Sequence, residues 1–152
     1  MNDISFTVDG APIPWARAGH HGKRHFTPAH VRRYQDWVKL CARQAMAGRN
    51  PLKGAISLHA EFILPVPSSW PLWKQDAAID GFVRPTSKPD ADNLVKAVKD
   101  ACNSIVWKDD AQVVVETVTK VYGERPRVYV MISELKTITS AAEWKAMQAE
   151  AA

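Results

Sequence analysis

Apolar and polar residues first alternate singly, Ile4, Phe6 and Val8 against Ser5 and Thr7, which predicts a strand closing at Asp9-Gly10. A basic, proline-bearing loop follows. From Thr27 the spacing becomes helical: Thr27 can cap, Pro28 suits the first helical position, and Val31, Tyr34, Val38, Cys41 and Ala45 return to one face until Gly48. Ile56, Leu58, Ala60, Phe62 and Leu64 alternate again, so residues 55–64 form a half-buried strand that Pro65 and Pro67 end. Residues 66–89, rich in proline and holding Trp70 and Trp73, read as a surface excursion with a short helix around Trp73 to Ile79. Leu94, Val98, Ala101, Cys102 and Ile105 define the buried face of a second helix capped by Asp90 or Asp92. Asp92, Lys96, Lys99 and Asn103 share its opposite face. Val113, Val115, Thr117, Thr119 and Val121 form one side of a long strand, residues 123–126 turn the chain, and Val128, Val130 and Ile132 return it as an antiparallel hairpin. Ser140-Ala-Ala-Glu143 is a capping box that opens a short helix with Trp144 and Met147. Periodicity therefore gives the order β-α-β-α-β-β with a C-terminal short helix.

At 152 residues the chain suits one domain over residues 1–135, with 136–152 as a tail. The net charge is only +4, but Arg17, Lys23, Arg24, Arg32, Arg33, Lys39, Arg43 and Arg49 face a single acid, Asp36, between Ala11 and Asn50. That distribution favours a polyanionic partner. Cys41 and Cys102 fall on apolar helix faces and make no disulfide framework, which fits a reducing cytosol. No charged segment leads into an apolar run at Met1-Asn-Asp-Ile, and nowhere do 18 apolar residues occur together, so the expectation is a cytoplasmic protein with no membrane partner.

Candidate chemistry concentrates in Asp90-Ala-Asp92-Asn-Leu-Val-Lys96 and, after one helix, Trp107-Lys-Asp109-Asp110. Phosphodiester hydrolysis needs a nucleophilic water and charge relief at phosphorus, and Mg²⁺ held by carboxylates supplies both. Asp90 and Asp92 at a helix start can grip one ion, Lys96 one turn on can reach a phosphate, and Asp110 is a third acid. A purely structural reading competes: aspartate favours helix starts, Asp92 and Lys96 are an ordinary i, i+4 pair, and Lys-Asp-Asp before a strand makes a turn.

Lys88-Pro-Asp-Ala-Asp-Asn-Leu-Val-Lys96 followed by Trp107-Lys-Asp-Asp-Ala-Gln-Val113 resembles the RusA family of Holliday junction resolvases, typically encoded by phages and prophages. Gly10-Ala-Pro-Ile-Pro14 is similar to the family's N-terminal Gly-x-Pro-x-Pro. The resemblance spans roughly residues 4–134, with its specific part in 88–113. It implies an α+β fold of two layers, helices on a small mixed sheet. It further implies a homodimeric Mg²⁺-dependent endonuclease (Mn²⁺ being the other candidate ion) that cuts four-way DNA junctions in recombination and repair. Asp90, Asp92 and Asp110 would be the metal-binding acids and Lys96 the catalytic lysine, Asp109 being the neighbour and not the first choice. Trp15-Ala16 departs from the Lys-Gly that relatives often show there, and residues 66–87 exceed the shortest members.

A helix over 91–104 is about 20 Å long, which starts Asp90 and Asp110 at opposite ends. Either residues 105–109 run almost straight back along it, or Asp110 of one chain joins Asp90 and Asp92 of a two-fold partner, which is the expectation here. Arg17, Lys23, Arg24, Arg84 and Lys88 are the candidate DNA contacts, Arg32 and Arg33 being equally well explained as a solvated helix face. His20, His21, His25 and His30 lack the cysteine spacing of a zinc finger. Trp70 and Trp73 are candidate probes of unpaired bases, and Trp107 a buttress for the acids. The competing functions are a non-catalytic phage DNA-binding protein and a metal nuclease for flaps, forks or RNA.

Overall fold

A computed structural model describes residues 3–17, 19–21 and 24–152, the side chains of 18–25 excepted. Strand β1 (Asp3–Asp9) is followed by a two-stranded antiparallel ribbon of β2 (Gly19–His21) and β3 (Arg24–Phe26), then helix α1 (Ala29–Met46) and strand β4 (Ala55–Pro65). Helices α2 (Leu72–Ile79) and α3 (Ala91–Cys102), strands β5 (Val113–Gly123) and β6 (Arg127–Leu135), and helix α4 (Ala141–Ala151) complete the order. The small ribbon and the turn Asp110–Gln112 are additions to the predicted elements.

β1, β6, β4 and β5 lie side by side in that order, β4 antiparallel to β6 and parallel to β5. The predicted β5–β6 hairpin does not form, because β4 stands between its two arms. Residues 123–126 hold none of the two-residue turns that clamp neighbouring strands, and Pro126 has no N–H to give a ladder. They span the end of β4 instead, where Gly123 lies against Ile63 so closely that any Cβ would collide with that side chain. β4 takes the centre because it buries more residues than any other strand, Ile56, Leu58, Ala60, Phe62, Ile63 and Leu64 all being buried.

α1 and α3 cover one face of this sheet. Tyr34 and Val38 from α1, and Leu94, Val95 and Val98 from α3, meet Ile4, Phe6, Leu58, Phe62, Val130 and Ile132 in one core. Full burial of each large aliphatic side chain contributes about 1.5–3 kcal/mol. The predicted helical face of α1 is therefore the buried one, while Arg32, Arg33 and Arg43 are exposed. Its first bond runs from Arg32 N–H to the Pro28 carbonyl at 3.1 Å, so Pro28 occupies the cap position and Thr27 falls one residue too early to cap. The two-layer α+β class, the mixed sheet and the terminal helix match the expectation.

One strand face was misassigned by the alternation of valines. Register slips between Ile56↔Val113 and Ser57↔Val115, leaving Val114 as an extra, exposed residue. Such a bulge reverses the phase of everything after it. Val113 faces the core, but Val115, Thr117, Thr119 and Val121 align with Ser57, His59, Glu61 and Ile63 on the face away from the helices. Glu116 and Lys120 are thereby turned toward α3, with consequences for the site.

α4 contributes no buried residue, and its side chains Trp144 and Met147 stay exposed. Its first turn is held locally: Ser140 Oγ accepts the Glu143 N–H at 3.1 Å, and Glu143 Oε2 accepts the Thr139 N–H at 2.7 Å. The Thr139 N–H is the main reason that the Glu143 carboxyl sits below the usual carboxylate range. Among the described residues, no helix is long and apolar enough to cross a membrane.

Candidate active site

The start of α3 is fixed from two sides. Lys120 of β5, turned inward by the bulge, donates to the Ser87 carbonyl at 3.0 Å and the Pro89 carbonyl at 2.9 Å. Glu116, four residues before it on the same face, pairs with Lys99 at 3.0 Å and ties down the helix body. From the N-terminal side Trp15 N–H donates to the Asn93 carbonyl at 2.9 Å. The loop thus brings Pro12 and Pro14 against Lys88, Pro89, Asp90 and Asn93 around an open cleft of about 380 Å³. Neither the Lys120 clasp nor this meeting of residues 12–15 with 88–93 was legible in the sequence, because both join segments far apart in the chain.

Asp90 occupies the cap position of α3 at φ −71°, ψ 144°, yet its side chain accepts no helix N–H. Asp92 Oδ1 accepts only the N–H of the next residue, Asn93, at 3.0 Å. Both residues are exposed, and Asp90 lines the cleft. Lys96, one turn on, has its ammonium 3.5 Å from Asp100 Oδ1 and 4.9 Å from the centre of the Trp15 ring.

At the far end of α3 the two adjacent acids have different tasks. Asp109 closes a capping box over the turn Asp110–Gln112: its side chain accepts from Ala111 N–H at 2.8 Å, and Gln112 Oε1 accepts from Asp109 N–H at 2.8 Å. Gln112 also donates to the carbonyls of Leu52 and Gly54, stapling the turn to the chain before β4. Asp110 Oδ1 accepts the indole N–H of Trp107 at 2.7 Å, leaving Oδ2 uncommitted. Trp107 is fully buried, so the sequence-based buttress is the arrangement observed. The Cys102 thiol beside it is raised above its ordinary range by burial first and by the negative Asp110 second, which keeps it a protonated, inert core residue.

Asp90 and Asp92 therefore lie at the N-terminal end of a 12-residue helix, about 18 Å long, whereas Asp110 lies near Cys102 at its other end. Residues 103–109 do not run back along the helix, and among the described residues no three acids, histidines or cysteines of one protomer gather closely enough to hold a metal ion. The donor chemistry still suits a hard cation, since all three acids offer free anionic oxygen. What a single protomer lacks is their convergence.

Of the candidate DNA contacts, Arg17, Arg84 and Lys88 are exposed, and Lys88 lines the cleft. Lys23 and the side chain of Arg24 lie outside the described residues, as do those of His20, His21 and His25. Trp70 is not a free probe: its ring meets Tyr122 edge-on at 5.4 Å and carries the Lys74 ammonium at 4.0 Å. Trp73 on the outer side of α2 is 69% exposed, and so keeps that possibility.

Comparison with known proteins identifies the family. Residues 9–133 match the family model described as endodeoxyribonuclease RusA, a span that begins at the end of β1 and closes within β6. The chain is also 40% identical over 141 residues to the uncharacterized protein YqaN of Bacillus subtilis (strain 168), covering 89% of this chain and 99% of that protein. The chain belongs to the RusA family of endodeoxyribonucleases, whose activity is the resolution of Holliday junctions.

Proposed function

We propose that the protein is a divalent-metal-dependent, structure-selective endonuclease that resolves four-way DNA junctions as a homodimer, by paired phosphodiester hydrolysis. The carrying observation is that Asp90 at the start of α3 has no structural employment there, and that Asp92 accepts only the N–H of its own neighbour. Asp90 stands where a cap should, and caps nothing. Asp109, by contrast, uses its carboxylate in just that way.

Asp90 and Asp92 of one chain would hold the ion together with Asp110 of the partner, because no bend within a protomer unites them. Mg²⁺ suits such a set of carboxylates, and Mn²⁺ accepts the same donors. When bound, the cation supplies charge relief at phosphorus and a more acidic water. The chain's own groups do the rest. Lys96 places a positive charge beside the cleft, where negative charge builds on the non-bridging oxygens as the bond to phosphorus forms. Lys88 and Arg84 hold the scissile strand at the cleft mouth, while Arg17, Lys23 and Arg24 neutralise phosphates of the neighbouring arm, an attraction that weakens steeply with salt. Two-fold symmetry gives two such centres, one for each of a pair of opposed nicks.

The test is a synthetic four-way junction with labelled arms. Paired nicks should appear with Mg²⁺, vanish with EDTA, and vanish in Asp92→Asn while its circular dichroism stays that of the parent. Tight junction binding with no nicks under any divalent ion would favour the non-catalytic DNA-binding reading, and faster cutting of flaps, forks or RNA would reassign the substrate.

A further inference from the structure

We infer that Trp15 is a positioning residue for Lys96, its indole face holding the ammonium beside Asp90 and Asp92 against the competing pull of Asp100. This rests on the role given to Lys96 above. The ammonium lies 4.9 Å from the ring centre and 3.5 Å from Asp100 Oδ1, so it stands between two attractions.

The two partners of the ammonium come from different elements, Asp100 from α3 itself and Trp15 from the N-terminal loop. Asp100 is one turn toward the C-terminus, away from the acids. Trp15 is pinned by its own N–H to Asn93, less than one turn toward the N-terminus of Lys96. The main chain that carries the ring is anchored: Pro12 is buried and Ile13 packs on the core. Helical side chains lean toward the helix N-terminus, so the pairing with Asp100, one turn the other way, draws Lys96 against its natural direction. A cation over an aromatic face at a half-exposed site and an i, i+4 ion pair are worth comparable amounts. The balance between them thus sets how often the ammonium faces the cleft. A cation at position 15 would repel Lys96 from this place, whereas an electron-rich ring retains it.

The attraction depends on the ring's quadrupole, which fluorine withdraws without changing the ring's shape. Full-length protein carrying tryptophan, or its mono-, di- or tetrafluoro forms, at position 15 alone should show single-turnover cleavage of a four-way junction that falls stepwise with fluorine number. The total loss should be about 3- to 5-fold, with junction affinity unchanged. Trp15→Leu should lose a similar factor, and adding Asp100→Asn should restore most of it by removing the competitor. In metal-free protein the ε-methylene protons of Lys96 should be shifted upfield by the ring current, and should return to the ordinary lysine position in Trp15→Leu. A flat fluorine series, or an unshifted Lys96 signal in the parent, would overturn the inference on Trp15 while Lys96→Met still abolishes cutting. Full activity in Lys96→Met would instead overturn the lysine's role, and the inference on Trp15 with it.

Discussion

Asp110→Asn should lower junction cleavage about 10³-fold and leave the melting midpoint nearly unchanged. The substituted amide can still present an oxygen to the Trp107 indole N–H, which Asp110 Oδ1 accepts at 2.7 Å, so packing around the turn survives. What would disappear is the anionic oxygen that the proposed site offers a cation. Withdrawing one such charge from a site built to balance developing charge costs about 4 kcal/mol of barrier. Asp109→Asn should behave differently, since its carboxylate serves the capping box and takes no part in the cleft. Single-turnover cleavage of a labelled junction, with a thermal melt of each variant, separates the two. An Asp110→Asn protein cutting within about tenfold of the parent would remove Asp110 from the site.

Trp107→Ala should be the most destabilising single change in the chain. The indole is fully buried, its carbonyl takes the Ser104 N–H at 2.7 Å, and its backbone bridges to both Leu52 and Asn103. Truncating a buried tryptophan costs about 3–5 kcal/mol, against a total stability of about 5–15 kcal/mol. The midpoint should fall by roughly 10–20 °C in a domain of this size. Trp107→Phe refines the test, because it keeps an aromatic body in the core, leaves a smaller cavity than alanine, and removes the N–H that holds Asp110. Its cleavage should fall by more than its stability predicts, and equal loss in the two quantities would confine Trp107 to packing.

Much of the fold was legible because periodicity reports faces. Ile4, Phe6 and Val8, the buried stripe of α3, and the alternation of β4 all lie where their spacing places them. Periodicity says nothing of which strand edges meet, so the neighbourhood of β5 and β6 was inferred from sequence adjacency and was wrong. Nor does it survive an inserted residue. Val114 reverses the facing of β5, and only through that reversal do Glu116 and Lys120 reach α3 and the carbonyls before Asp90. The acids themselves were visible as a motif. Their division of labour was not, because only geometry distinguishes Asp109, which caps, from Asp110, which is clamped by an indole and keeps one oxygen free.

A mixed dimer examines the shared centre most directly. Asp90→Asn and Asp110→Asn chains, each inactive alone, are unfolded together, refolded and given a four-way junction with Mg²⁺. If the centre spans two chains, a mixed dimer joins both lesions in one site and leaves the other intact, so single-strand nicking should return to about a quarter of the parent's total site activity. Mixed dimers, confirmed by mass, that cut no better than either parent variant would contradict a metal site built from Asp90 and Asp92 of one chain and Asp110 of the other.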